Sequence, residues 1–147
     1  MRETKKALIM IWLFALGLAA CSTSTGPEAA EDPAGYVQVF LTNGRTENYQ
    51  LGGFKFALQD YLEITDADCI VTTVTTEEMA EVVFYGQSPS LCSGGNRWEF
   101  KVTTRGSEVR GHGESFSEYV QVRGLDLNTG YEKFINFAAI ERIVFNR

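Results

Sequence analysis

Trp98, Phe100 and Val102 alternate with Arg97, Glu99 and Lys101, so every second side chain is apolar and its neighbours are charged. A period of two is the repeat of a strand with one face in a core and the other in water; a helix, with 3.6 residues per turn, cannot separate the two sets. Val37, Val39 and Leu41 repeat the pattern and run into Asn43-Gly44, the dipeptide that best accepts the positive φ angles of a tight hairpin. Residues 69–75 are rich in β-branched side chains, which suit a pleated surface. The chain has 147 residues, 44% of them apolar and 22% charged, which is room for one small core. These features predict a mainly β protein: a single small antiparallel barrel or sandwich with one or two short helical turns.

Two segments carry helical signals. Thr75-Thr76-Glu77-Glu78 has the spacing of a capping box, and Gly86 would close a helix over Met79, Val82 and Val83. Val82-Val83-Phe84-Tyr85 has the bulk of a strand, so the strand reading leads there. Residues 137–141 read as one helical turn before a closing strand at 143–145. Apolar side chains fall on even positions at Val120 and Val122 but on odd ones at Leu125 and Leu127, a change of phase that a bulge at Gly124 would absorb. Asp126 to Gly130 supply turn residues ahead of a strand at 131–134. Tyr36-Val37-Gln38-Val39 recurs as Tyr119-Val120-Gln121-Val122, either a duplicated hairpin unit or the chance likeness of short strands.

The N-terminus follows other rules. Arg2, Lys5 and Lys6 precede an apolar run from Ala7 to Leu16, and then come Gly17-Leu18-Ala19-Ala20-Cys21. A basic start, a short apolar stretch and small residues before a cut site read as a secretory signal over residues 1–20, too short to span a bilayer. Leu18-Ala19-Ala20-Cys21 resembles the lipobox of bacterial lipoproteins. The resemblance implies cleavage before Cys21, a diacylglycerol thioether on its sulfur and an acylated amine, with palmitate-type chains holding the protein on a membrane. Residues 21–35 then form the lipidated cysteine and a flexible linker, since 22–35 hold no large apolar side chain. Ser22, rather than Asp, follows the cysteine; by the same resemblance this implies an outer-membrane anchor facing the periplasm. Residues 36–147 are expected to be a β-rich periplasmic domain. The leader carries three cations and one anion, so its removal makes the −6 chain more acidic by two. Such a chain is repelled by nucleic acid and by anionic lipid head groups.

With Cys21 lipidated, Cys69 and Cys92 are an even pair in an oxidising compartment, which predicts a disulfide. No Cys-x-x-Cys spacing or flanking cation marks a redox pair. No metal site is expected. His112 is the single histidine, and Asp66-Ala67-Asp68 and Asp126-x-Asn128 both depart from a calcium loop. Gly86-Gln87-Ser88-Pro89-Ser90 lacks the second glycine of a nucleophile elbow. Gly111-His112-Gly113-Glu114 is the one place where a base adjoins an acid, with Ser115 and Ser117 near it; the glycines there read as a bent strand or a close backbone approach. His112 is therefore expected near the surface with no serine or cysteine nucleophile in hydrogen-bond reach, and no catalytic residue or cofactor is assigned. Residues 88–98 form a polar, glycine-rich loop that would suit recognition. There Tyr85 or Trp98 could stack on a sugar ring and Arg97 pair with a carboxylate, unless Trp98 fills the core as its alternation implies. The expected function is a non-catalytic, lipid-anchored envelope protein with a protein partner; the alternative is a β-barrel module binding a glycan or a small apolar molecule.

Overall fold

Val37, Val39 and Leu41 point inward from β1 (Tyr36–Leu41) and Trp98, Phe100 and Val102 from β7 (Asn96–Thr104), each in the predicted phase. The computed structural model describes residues 35–113 and 120–147, all inside the compact unit Asp32–Arg147. The signal segment, Cys21 and the linker through residue 34 lie outside the described residues, as do Glu114, Ser115, Ser117 and Tyr119. The remaining strands are β2 (Thr46–Gln50), β3 (Lys55–Phe56), β4 (Tyr61–Thr65), β5 (Val71–Thr75), β6 (Met79–Pro89), β8 (Glu108–Gly113), β9 (Gln121–Leu125), β10 (Glu132–Asn136) and β11 (Ile140–Asn146).

The strands build two antiparallel sheets: eight strands in the order β2-β1-β11-β6-β7-β8-β4-β5, and three in the order β10-β9-β3. The large sheet does not close into a barrel, because β2 and β5 end it on opposite sides. Both sheets contribute to one buried cluster. Phe137 lies at its centre, and its ring meets those of Phe84 at 5.1 Å, Trp98 and Phe100 at 5.6 Å and Phe56 at 6.3 Å, all edge to face. Each such pair adds about 1 kcal/mol to the burial of the rings themselves. Aliphatic side chains such as Val39, Leu62, Met79 and Ile143 pack around these rings.

Local expectations fare unevenly, and the reasons are physical. The capping-box contacts form without a helix: Glu78 Oε2 accepts the Thr75 N–H at 3.0 Å and its hydroxyl at 2.9 Å, in the turn from β5 to β6. Residues 79–89 are then a strand, as their bulk favours. The C-terminal turn is a 3-10 turn at Phe137–Ala139, capped by Asn136, whose side chain accepts the Ala138 N–H. Gly124 carries no bulge, since β9 and β10 pair without a register shift. Val122 and Gly124 both face inward, Leu125 and Leu127 face water, and a Cβ on Gly124 would come within 2.8 Å of the Phe54 ring. The glycine makes room for an aromatic ring. The first Tyr-Val-Gln-Val segment opens β1 in the large sheet, whereas Gln121 and Val122 of the second open β9 in the small one.

Candidate functional site

The outer face of β6, β7 and β8 gathers polar side chains that are far apart in sequence. β7 and β8 pair with Glu99 opposite His112 and Lys101 opposite Arg110. On the other side of β7, β6 has a register shift between Phe84 and Gly86, which leaves Tyr85 as the extra residue. Beyond the bulge Ser88 comes beside Glu99 and His112. The Ser88 hydroxyl bonds Glu99 Oε2 at 3.0 Å and lies 2.8 Å from His112 Nε2. Glu99 Oε1 receives Arg110 Nε at 3.0 Å and Arg110 Nη2 at 2.9 Å, and the Arg110 guanidinium stacks 4.3 Å from the centre of the Tyr85 ring. Five side chains thus form one continuous chain of contacts across three strands.

This corrects the expectation for His112, which has a serine hydroxyl in hydrogen-bond reach. The electrostatics decide what the pair can do. Burial works against the charge on Glu99, but hydrogen bonds from Ser88 and Arg110, with the charges of Arg110 and His112, hold its carboxyl below the usual range. An ionised carboxylate only accepts, so the Ser88 proton goes to Glu99 and the serine oxygen accepts from an Nε2–H of His112. A ring nitrogen that already carries its proton cannot take one from the serine. In a hydrolytic triad the carboxylate instead bonds the other ring nitrogen and leaves Nε2 free to act as base. The order assigned in this way, His112 to Ser88 to Glu99, orients the ring and differs from that of a triad.

Beside this row lies a cavity of ≈ 380 Å³, with Ala67, Pro89, Leu91 and Cys92 on one side and Glu99 and His112 on the other. Cys92 lines it, and its disulfide with Cys69, with S–S 2.07 Å and Cα–Cα 5.5 Å, joins the β4–β5 turn to the loop after β6. Cys69 takes φ 63° in a turn where Asp66 Oδ1 accepts the N–H groups of Asp68 and Ile70, each at 2.9 Å. Asp66 is thus a turn former. Gly111 explains the glycines flanking His112: a Cβ there would stand 2.1 Å from the Thr65 carbonyl oxygen, so only glycine lets β8 approach β4.

The three residues proposed for recognition separate. Trp98 is only 7% exposed and packs on Phe137, which leaves no ring face for a ligand. Arg97 is half-buried, with Nη1 on the Asn96 carbonyl at 3.4 Å. Tyr85 is 44% exposed, but Arg110 covers one face.

A second polar group was not foreseen. Glu47, 7% exposed on β2, accepts the Tyr49 hydroxyl at 2.6 Å and Lys133 Nζ at 2.7 Å. Lys133 also approaches the buried Asp126 at 4.0 Å. Lys133, which closes on Glu47, lies 86 residues further along the chain, so no local pattern signals the burial of Glu47. Among the described residues no cluster of three or more His, Cys, Asp or Glu is placed to hold a metal ion. No protein-family model matches the chain, and neither the curated proteins nor the solved structures contain a match.

Proposed function

We propose that this chain is a non-catalytic, lipid-anchored envelope protein: residues 1–20 export it, Cys21 carries the lipid, residues 22–35 tether it, and the β domain works through protein contacts on the periplasmic side of the outer membrane. The observation that carries the protein-contact reading is a filled core combined with apolar side chains left in water. Leu125, Leu127, Tyr131 and Phe134 stand exposed on the β9–β10 hairpin, and Ile70, Val71 and Leu91 near the disulfide, where Leu91 is 93% exposed. Exposed apolar groupings on a domain with a packed interior mark association surfaces. The anchor rests on Leu18-Ala19-Ala20-Cys21. Cys21→Ser should abolish lipid labelling and release the chain from membranes after a salt wash; normal processing and retention would end the anchor reading. In-cell crosslinking of the native chain should capture protein neighbours.

A second reading, a module that binds a glycan or a small apolar molecule, draws support from the cavity beside His112, since the packed interior leaves that role to the surface. Titration with glycan fragments, read by chemical shifts of Leu91 and His112, separates it from the first.

A further inference from the structure

We propose that β5 is a self-association edge, pairing with β5 of a second copy of this chain across a two-fold axis at Thr72; this deepens the protein-contact reading and rests on it. The directions of the backbone hydrogen bonds carry the argument. Asp66 N–H donates to Ile70 O at 3.0 Å and Thr76 N–H to Asp60 O at 2.7 Å. Between them β4 and β5 pair without a shift, Ile64 opposite Thr72 and Leu62 opposite Val74. Groups on an antiparallel strand alternate sides, so even-numbered residues of β5 face β4 while Val71, Thr73 and Thr75 face away. Thr75 is already satisfied: its N–H donates to Glu78 Oε2 and its carbonyl accepts the Glu78 N–H, both at 3.0 Å. Among the described residues, what remains without a partner is the N–H and C=O of Val71 and of Thr73.

A two-fold at Thr72 sets Val71 against Thr73 of the copy, twice, and joins those free groups in four hydrogen bonds. A two-fold at Thr73 would instead set Val71 against the capped Thr75 and lose half of them. The side chains agree. Val-Thr-Thr-Val-Thr carries no charge, so no like charges meet across the axis. The same pairing sets Ile70, 59% exposed, opposite Val74 of the copy, and covers Val71. An edge with no lysine, proline or bulge is an open template for another strand. The other open edges differ: β10 carries Glu132 and Lys133, and β3 has two residues.

The test uses the full chain, purified as its host processes it, with the disulfide intact. Sedimentation should show a dimer, and added salt should strengthen it, because the two copies are both acidic. In a mixture of 15N-labelled and unlabelled chain, a benzophenone side chain in place of Ile70 should yield a mixed-isotope product joined to the Val74 peptide. Val71→Lys combined with Thr73→Lys sets like charges across both pairs and should weaken association at least ~10-fold. Thr73→Pro should do the same, since it removes an outward donor and leaves the β4 ladder intact. If the lysine pair does not fold, the benzophenone product decides alone. A wild-type chain that stays monomeric at about 0.5 mM overturns self-pairing. So does a product joined only to a different protein, an outcome that leaves the protein-contact reading standing. Failure to capture any protein, copy or otherwise, in cells ends both.

Discussion

At one end of the large sheet, β2 is covered: its Asn48 carbonyl accepts the Leu127 N–H at 2.9 Å, Tyr49 bridges to Asp126, and Lys133 from the β9–β10 hairpin closes on Glu47. At the other end, among the described residues β5 has no neighbour beyond β4 and carries two residues of unpaired backbone. The attachment behind each edge differs too. β1 meets β11 over six register pairs, whereas among the described residues the β4–β5 hairpin meets β8 at Ile64 to Gly113 and Thr65 to His112. The covered edge is held by ladder and buried charge. The open one depends on its core side chains, Leu62, Ile64 and Val74, and on a covalent link. The disulfide ties the β4–β5 turn to the loop after β6, so constraint and exposure meet in the same hairpin.

Breaking the link gives the largest expected effect. Reducing Cys69–Cys92, or replacing both with Ser, should lower stability by about 3 kcal/mol in chemical denaturation, as expected for a loop of this length. Hydrogen exchange should then rise first in β4 and β5 while β1 and β11 stay protected. Uniform loosening of all strands would erase the contrast between the two ends.

Glu47→Gln attacks the covered edge and should cost about 2 kcal/mol at neutral pH, because it leaves Lys133 without its anion and weakens the Tyr49 hydrogen bond. The sign with pH is fixed by the shifts. Burial works against the Glu47 charge, but the Lys133 and Tyr49 hydrogen bonds and the charges of Lys133 and Arg45 hold its carboxyl below its ordinary 4.5. Its stabilisation is therefore full above 4.5 and lost as pH falls through the folded value. Tyr49 runs the opposite way. Burial, the Glu47 hydrogen bond and the charges of Glu47 and Asp126 push its phenol up from 10.0, so stability is full below that pH and declines above it. Denaturation midpoints against pH should fall at both ends, and Glu47→Gln should flatten the acid limb. An unchanged acid limb would remove Glu47 from the account of this edge.

What was legible in the sequence divides along similar lines. The alternation at residues 97–102 and in β1 gave correct faces, because each strand carries its own period of two. Cys69 and Cys92 could be paired once the lipobox resemblance set Cys21 aside. Glu47, Gly124 and the Ser88–His112 contact were not legible, since each owes its surroundings to a segment distant in the chain. Ser88 reaches His112 only through a bulge on β6 and the register of β7 with β8, neither of which leaves a local mark. Trp98 was ambiguous for the opposite reason. Its alternation placed it in the core while its neighbouring loop drew it toward a binding role, and the alternation prevailed.

His112 lies where β8 meets β4, opposite Thr65, so His112→Ala tests how much that side depends on its polar row. Loss of one hydrogen bond at a half-buried position should cost about 1 kcal/mol. Ser88→Ala should cost a similar amount, and the double variant less than the sum, because both remove the same contact. Additive losses in that cycle would mean that the 2.8 Å contact contributes no coupling.

Thr73→Lys should have the smallest effect on the isolated fold, within about 0.5 kcal/mol in either direction. Its side chain is exposed, its backbone groups face away from β4, and a lysine on an edge strand retains its solvation. The comparison between the two ends becomes quantitative at this position. On β2, Glu47 is also an outer-strand residue, yet its replacement is expected to cost several times more, because the β9–β10 hairpin has removed it from water. Measured at low protein concentration, where copies are apart, Thr73→Lys isolates the edge itself. Measured at high concentration, any added loss belongs to pairing. A large loss at low concentration would mean that some part of the folded chain already covers β5, and the open edge would not exist.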